Sequence, residues 1–236
     1  MIQFFAPDIE TDLTLPQSDS QHCIRVLRMS EGDTINVIDG RGNSFICTIV
    51  DAHPKRTAVE IIEKTSQPLS WRQHITVAVA PTKHIDRMEW MVEKLTEIGV
   101  NRIVPLLCRR SERKEIKTDR LEKIAVSAMK QSLKSVLPRI DAMTPVKDFI
   151  RSIDSGQRFI AYCDSETERK NLAACYRPHG DVAIMIGPEG DFSPEEVSLA
   201  IDREWQPVTL GDNRLRTETA AIVACDTFHI KDQIFE

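Results

Sequence analysis

The sequence predicts an α/β protein in two parts, a small β-rich domain over residues 1–70 and a parallel-sheet domain over 71–236. Three observations predict it. Before residue 70 the apolar residues fall in short strand-like runs punctuated by turn residues. From Trp71 onward the pattern changes to strand, helix, strand, helix, which is how a parallel sheet covered on both faces reads. Between the two lies the polar break Gln67-Pro68-Leu69-Ser70.

In the first part, Thr34–Asp39 and Ser44–Asp51 are strand-like and are joined by Gly40-Arg41-Gly42, a hairpin signal. Val59–Glu63 is a further strand, and Glu31-Gly32-Asp33 is a turn. One helix is expected from about Ser20 to Met29, capped by Ser18, Asp19 or Ser20. Several short strands with turns between them suggest a barrel.

In the second part, Ile75–Ala80 and Arg102–Leu107 are strands flanking a helix at Asp86–Ile98, with Gly99 as its stop. Trp90 in that helix is expected in the core. A long helix follows over Asp119–Val136, with Leu121, Ile124, Ala125, Ala128 and Met129 on one side. Further strands are expected at Arg158–Cys163, Val182–Ile186 and Pro207–Leu210, with a short helix near Glu168–Tyr176.

Composition excludes some functions. At 236 residues, with 41% hydrophobic and 28% charged residues, the chain can bury a core without staples. No apolar run approaches the roughly 18 residues of a membrane span. Met1–Glu10 lacks a basic n-region, so no signal peptide is expected there. The six cysteines stand at 23, 47, 108, 163, 175 and 225, never within four residues of one another, and read as free buried thiols. No HxxxH or HExxH pattern exists, so no metal site is expected.

The net charge is −5, but it is unevenly spread. Residues 1–70 carry six basic and ten acidic side chains, net −4; residues 71–140 carry 15 and 8, net +7; residues 141–236 carry 10 and 18, net −8. A basic middle suits a nucleic-acid surface, and it equally suits a solvated loop holding Arg109, Arg110, Arg113, Lys114 and Lys117.

Two loops stand where strand-end chemistry is expected. Gly187-Pro188-Glu189-Gly190-Asp191-Phe192 follows a strand and runs into Ser193-Pro194-Glu195-Glu196. There Ser193 is a helix N-cap, Pro194 sits at the first helical position, and Glu196 completes a capping box. Leu210-Gly211-Asp212-Asn213-Arg214-Leu215-Arg216 follows the next strand and leads into a helix at Thr217-Glu218-Thr219-Ala220, with Thr217 as N-cap. On spacing alone a tight turn explains the first loop, and capping explains Thr217 and Glu218. The first loop is not GxGxxG, so a dinucleotide site is not supported.

These segments, Ile186-Gly187-Pro188-Glu189-Gly190-Asp191-Phe192-Ser193 and Leu210-Gly211…Leu215-Arg216-Thr217-Glu218-Thr219-Ala220, resemble the paired signature of the SPOUT-class 16S ribosomal RNA uridine-N3 methyltransferases. His22-Cys23-Ile24-Arg25-Val26-Leu27-Arg28 resembles the family's N-terminal motif. Lys83…Asp86-Arg87-Met88-Glu89 with Glu93–Val100 resembles its first βα unit, and Lys130-Gln131-Ser132 its glutamine-serine motif. The similarity spans nearly the whole chain. Asp191, where many members carry glycine, and His84-Ile85, where a glycine-containing step is usual, are departures.

The resemblance implies a SPOUT domain with a trefoil knot after a PUA-like barrel, and a cytoplasmic homodimer acting on 16S rRNA or the small ribosomal subunit, with no membrane. It implies S-adenosylmethionine bound by Gly187, Pro188, Glu189, Gly190, Leu210, Gly211, Leu215, Thr217, Thr219 and Ala220. Arg216 would stabilise the uracil anion, and Glu218 would be a base or a structural group. Arg25, Arg28, Lys83, Arg87 and Lys130 would meet RNA phosphates. The rival readings are a non-catalytic RNA-binding or ribosome-assembly protein, a small-molecule α/β enzyme, and a sister SPOUT methyltransferase acting on transfer RNA or on ribose.

Overall fold

The computed structural model describes residues 2–163 and 169–235. The chain divides into two compact units, one of Met1–Ser70 with Val126–Leu137, the other of Trp71–Ala125 with Pro138–Glu236. The unit changes between Ser70 and Trp71, and the segment 126–137 belongs to the first.

The first unit holds a four-stranded sheet ordered β1-β2-β3-β4, of β1 (Gln3–Phe5), β2 (Thr34–Ile38), β3 (Asn43–Asp51) and β4 (Ala58–Ser66). β1 lies parallel to β2, and the rest are antiparallel. Ile35 and Val37 on β2 and Phe45, Cys47 and Ile49 on β3 alternate inward at period two and bury against Phe4, Leu15, Cys23 and Val59. The chain then turns through α1 (Ile9–Asp12), and Thr14 bridges to Ala58. One short stretch therefore reaches both edges of the sheet, which curls it toward a barrel and covers the otherwise open edge of β4.

The helix expected at 20–29 is displaced. α2 runs over Gln17–Gln21 and passes directly into a π-helical turn at His22–Val26. The expected caps are spent on tertiary bonds instead. Asp19 accepts from the Phe5 backbone N–H at 3.2 Å, and Ser20 Oγ donates to Leu15 O and accepts from Thr57 N–H. The N-cap position falls to Pro16, which makes no side-chain cap bond.

The second unit is an all-parallel sheet, β10-β12-β9-β11-β5-β6-β7, with a short β8 paired to β6. Its strands are β5 (Ile75–Val79), β6 (Arg102–Leu107), β7 (Arg139–Ile140), β8 (Thr144–Pro145), β9 (Gln157–Ala161), β10 (Lys170–Asn171), β11 (Val182–Ile186) and β12 (Gln206–Thr209). β5 and β11 are buried at every residue, as expected of central strands with both faces covered. On one face, Ala78, Val104, Ala183 and Met185 pack with Val146, Phe149 and Ile150 of α5 (Val146–Ser152) and with Ala200 of α7 (Pro194–Asp202). On the other face lie α3 (Ile85–Ile98), α6 (Leu172–Cys175) and α8 (Thr217–Ile234), with α8 against α3, α6, β5 and β11.

α4 (Thr118–Gln131) ends five residues before the expected Val136, where Leu133 takes φ 56° and breaks the helix. Trp90 is not core; it is 46% exposed, because the buried stripe of α3 is Met88, Met91, Val92 and Leu95, and Trp90 falls off it. Gly99 stops α3 as expected, at φ 130°. The helix expected from Glu168 begins instead at Leu172, after β10; Glu168 itself lies outside the described residues. Four cysteines are buried, but Cys163 is exposed and Cys175 half-buried, which corrects the expectation of six buried thiols. No group of metal-ligating side chains occurs among the described residues. No described helix is long and apolar enough to cross a membrane.

Candidate active site

The sheet order sets up the site. β5 sits between β11 and β6, so the loops leaving β5 and β11 part in opposite directions along the sheet. Such a switch point at the carboxyl ends of parallel strands is where an open sheet binds ligands. The loop after β11 holds Gly187–Phe192, and the loop after β12 holds Leu210–Arg216.

The first loop is rigid by construction. Ser193 caps α7 by accepting from Glu196 N–H, and the Glu196 carboxylate accepts from Ser193 N–H at 2.8 Å, the expected capping box. Glu196 Oε1 also accepts from Arg109 N–H at 2.7 Å. Asp191 takes φ 62° and uses both carboxylate oxygens, accepting from Phe192 N–H at 2.8 Å and from Cys163 N–H at 2.8 Å. A glycine would lack those bonds, so this departure from the family pattern carries its own compensation. A Cβ on Gly187 would lie 3.1 Å from the Phe192 ring and 3.2 Å from Asp191, so a side chain there would press on the loop.

The second loop is open. Gly211 takes φ 121° with nothing within 4 Å of where a Cβ would stand. Leu210 and Leu215 are half-buried, as are Thr219 and Ala220 on the first turns of α8, while Arg216 is exposed. The N-cap of α8 is Arg216, not Thr217. Thr217 is instead the first helical residue, buried, and its Oγ1 donates to Gly187 O at 3.1 Å. That bond draws the two loops together. Pro188 is buried beside them, and Glu189 and Gly190 are exposed.

Glu218 is buried, with Arg87 Nε 3.8 Å from its Oε1. Two residues predicted for different tasks, base and phosphate contact, thus form one ion pair. Lys83 is exposed, its ammonium 3.2 Å from Glu112, and its backbone N–H donates to Glu189 Oε1 at 3.0 Å. In the first unit, Arg25 and Arg28 are exposed, Arg28 at φ 57°. Lys130 lies 2.6 Å from Asp19 Oδ1, so its charge already has an internal partner.

Sequence reasoning missed two sets of residues. Arg110 and Arg113 were read only as basic charge, although their place just past the carboxyl end of β6 was a signal that they serve strand-end loops. Gln73, Tyr176 and His179 were not singled out. Gln73 and Tyr176 donate side-chain bonds to the Asp232 carboxylate near the end of α8, and the His179 backbone N–H adds a third at 2.8 Å. Burial and the neighbouring Asp232 carboxylate push the Tyr176 phenol up, so it stays a donor. These three residues pin the last helix from segments 53 to 159 residues away in sequence, a distance no local pattern reveals.

A model of an RNA methyltransferase domain matches residues 69–229, and a model of an RNA methyltransferase PUA domain matches residues 15–62. A relative from Synechocystis named ribosomal RNA small subunit methyltransferase E is 30% identical over 92% of this chain and 72% of its own length. A crystal structure from Porphyromonas gingivalis described as a probable rRNA-methyltransferase is 45% identical, covers both chains completely and superposes with TM-score 0.96. A ribosomal RNA small subunit methyltransferase E from Neisseria gonorrhoeae, crystallised with S-adenosyl methionine, is 26% identical over 98% of this chain and 97% of its own, with TM-score 0.86. On the matched domains, the sheet order and the paired strand-end loops, this chain belongs to the RNA methyltransferase family, as a SPOUT-class member with a PUA-like N-terminal domain among the relatives named ribosomal RNA small subunit methyltransferase E.

Proposed function

We propose that this protein transfers a methyl group from S-adenosylmethionine to N3 of a uridine in 16S ribosomal RNA of the small subunit, and that it works in the cytoplasm as a homodimer. Residues 1–70 would serve as the RNA-binding domain and 71–236 as the methyltransferase domain. The observation that carries the reading is the Thr217–Gly187 hydrogen bond, which closes two glycine loops over the switch point of a parallel sheet. The Neisseria relative binds S-adenosyl methionine, and the curated relatives are named for small-subunit ribosomal RNA.

The residues fit that cofactor. Gly211 leaves its backbone free of any neighbour within 4 Å of a Cβ, so a ligand can approach the main chain closely. Half-buried Leu210 and Leu215 offer apolar surface to an adenine, and small Thr219 and Ala220 leave room on the helix. Gly187, Pro188, Glu189, Gly190 and Thr217 would form the opposite wall. When bound, S-adenosylmethionine supplies a methyl already activated on a sulfonium, so positioning carries much of the rate.

The chain's own task is the uracil. Its neutral imide nitrogen is a poor nucleophile, so the departing N3 proton leaves negative charge that must be stabilised. Arg216 suits that role: it is exposed at the N-cap of α8, and its side chain makes no hydrogen bond or ion pair among the described residues. Glu218, buried against Arg87, serves better as the group that aims Arg87 than as the proton acceptor. Arg25, Arg28 and Lys83 would meet RNA phosphates. Lys130, held by Asp19, would brace the N-terminal unit instead.

A trefoil knot is consistent with the strand order. β12 lies outside β9, yet α8, which follows it, returns to pack on β11 and β5.

Calorimetry with S-adenosylmethionine tests the reading. Wild-type protein should bind, Gly190→Val should lose binding, and Arg216→Ala should keep it while losing methyl transfer. No binding by the wild type, with or without RNA, would leave the non-catalytic RNA-binding reading in front.

A further inference from the structure

The basic segment after β6 sits beside the loop after β11, and two of its arginines donate to main-chain oxygens of neighbouring loops. Arg110 Nη1 donates to Gly190 O at 3.0 Å and to Phe192 O at 3.2 Å, both in the loop after β11. Arg113 donates through Nε to Thr82 O at 3.1 Å and through Nη2 to Lys83 O at 2.7 Å, in the loop after β5. The segment's root is fixed. Cys108 N–H donates to Ser111 Oγ at 3.0 Å, Ser111 N–H donates to Cys108 O at 3.1 Å, and Arg109 N–H donates to Glu196. The two loops are also joined directly, by Lys83 N–H donating to Glu189 Oε1 at 3.0 Å.

The result is a closed circuit. It runs from Lys83 to Glu189, along the loop to Gly190, across to Arg110, along the segment to Arg113 and back to Lys83.

We propose that Arg110 and Arg113 are positioning residues, a two-arginine clasp that holds the cofactor loop and the Lys83 loop in register and couples cofactor binding to RNA binding. The inference rests on the proposed function and deepens it, since it assigns the two arginines a task carried out through the loops they hold. Arginine is required because one planar guanidinium must reach two acceptors at fixed angles, which a lysine ammonium on a flexible stem does not reproduce. Loop carbonyls at strand ends have no ladder partner, so each needs a donor from elsewhere or from water. In the same segment Arg109 is paired to Glu195 at 3.0 Å, and Lys114 is exposed with no partner among the described residues. Two of the basic side chains of residues 71–140 are thus engaged with loop carbonyls.

The two arginines touch different loops, so their variants should separate. Arg110→Ala should weaken S-adenosylmethionine about tenfold or more, the scale of a lost charge-assisted hydrogen bond, with little change in RNA affinity measured without cofactor. Arg113→Ala should raise the KM for RNA several-fold with a smaller effect on the cofactor. In wild-type protein each ligand should tighten the other by the same factor, and either variant should bring that factor close to one. Arg110→Lys, which keeps the charge and the fold, should not restore binding, whereas added guanidinium ion should partly rescue Arg110→Ala. Lys114→Ala removes a charge from the same segment and should leave cofactor affinity unchanged. Cofactor binding by both Arg110 variants equal to wild type, or an equal loss with Lys114→Ala, would overturn the clasp. Failure of the wild type to bind S-adenosylmethionine would be a different failure, that of the proposed function and with it of the coupling.

Discussion

The hydroxyl of Thr217 donates to the carbonyl oxygen of Gly187 at 3.1 Å, across 30 residues of sequence, and this bond ties the two strand-end loops together. Both residues are buried, so a shape-matched Thr217→Val leaves the Gly187 oxygen without that donor and without ready access to water. The expected cost is about 1–3 kcal/mol, read from urea unfolding, with weaker cofactor binding measured by calorimetry. Thr217→Ser, which keeps the donor, should lose much less.

Arg87 and Glu218 should behave as a coupled pair. Arg87→Ala leaves a buried carboxylate without its partner and should destabilise more than Glu218→Gln does. A double-mutant cycle should return a coupling of about 1 kcal/mol, within the usual range for residues in contact. If Glu218 acts by aiming Arg87, Glu218→Gln and Arg87→Ala should lower the rate by similar factors and the double variant should lose little more. A far larger loss with Glu218→Gln than with Arg87→Ala would instead mark Glu218 as the base.

In the N-terminal unit, burial alone would raise the Asp39 carboxyl. Bonds from the Asn43 side chain at 2.6 Å and from the Arg41 and Asn43 backbone N–H groups, with the charge of Arg41, outweigh it and hold Asp39 below the usual carboxylate value. A depressed folded value means this stability is full above the unfolded carboxyl's value of about 3.9 and fades as pH falls through the folded one. Asp39→Asn should therefore cost about 1–2 kcal/mol at pH 7. The difference from wild type, measured by urea midpoints, should shrink steadily below about pH 4.

Thiol chemistry tests the proposed cofactor loop after β11. Burial pushes the Cys23 and Cys47 thiols up to about 11 and Cys108 to about 12, and raises Cys225 further still, so these four should resist a thiol-reactive disulfide in the native protein. Exposed Cys163 and half-buried Cys175 should react. Since the Cys163 backbone N–H bonds to Asp191 of the cofactor loop, S-adenosylmethionine should slow labelling of Cys163 and leave Cys175 unaffected.

What was legible in the sequence was local. The apolar-rich runs at Val182–Ile186 and Ile75–Val79, the capping box from Ser193 to Glu196 and the stop at Gly99 each announce themselves within a few residues, and each is present. What was hidden is tertiary competition for polar side chains. Thr217 reads as an N-cap because threonine precedes a helix, but its hydroxyl is claimed by a carbonyl on another loop. Asp19 and Ser20 read as caps, but Lys130, Phe5, Leu15 and Thr57 claim them. Arg110 and Arg113 read as surface charge because nothing local reveals that carbonyls from two other loops converge on them. Short strands such as β7, β8 and β10, of two residues each, lack the length for any periodicity to appear.

The central claim is methyl transfer to N3 of a uridine in small-subunit ribosomal RNA, and the most direct measurement uses methyl-labelled S-adenosylmethionine with purified protein and small subunits or their RNA, followed by nucleoside analysis of the product. The account predicts label in N3-methyluridine, lost with Arg216→Ala while that variant still binds the cofactor. Label on a ribose oxygen or on another base, or no transfer by a wild-type protein shown to bind both ligands, would contradict it.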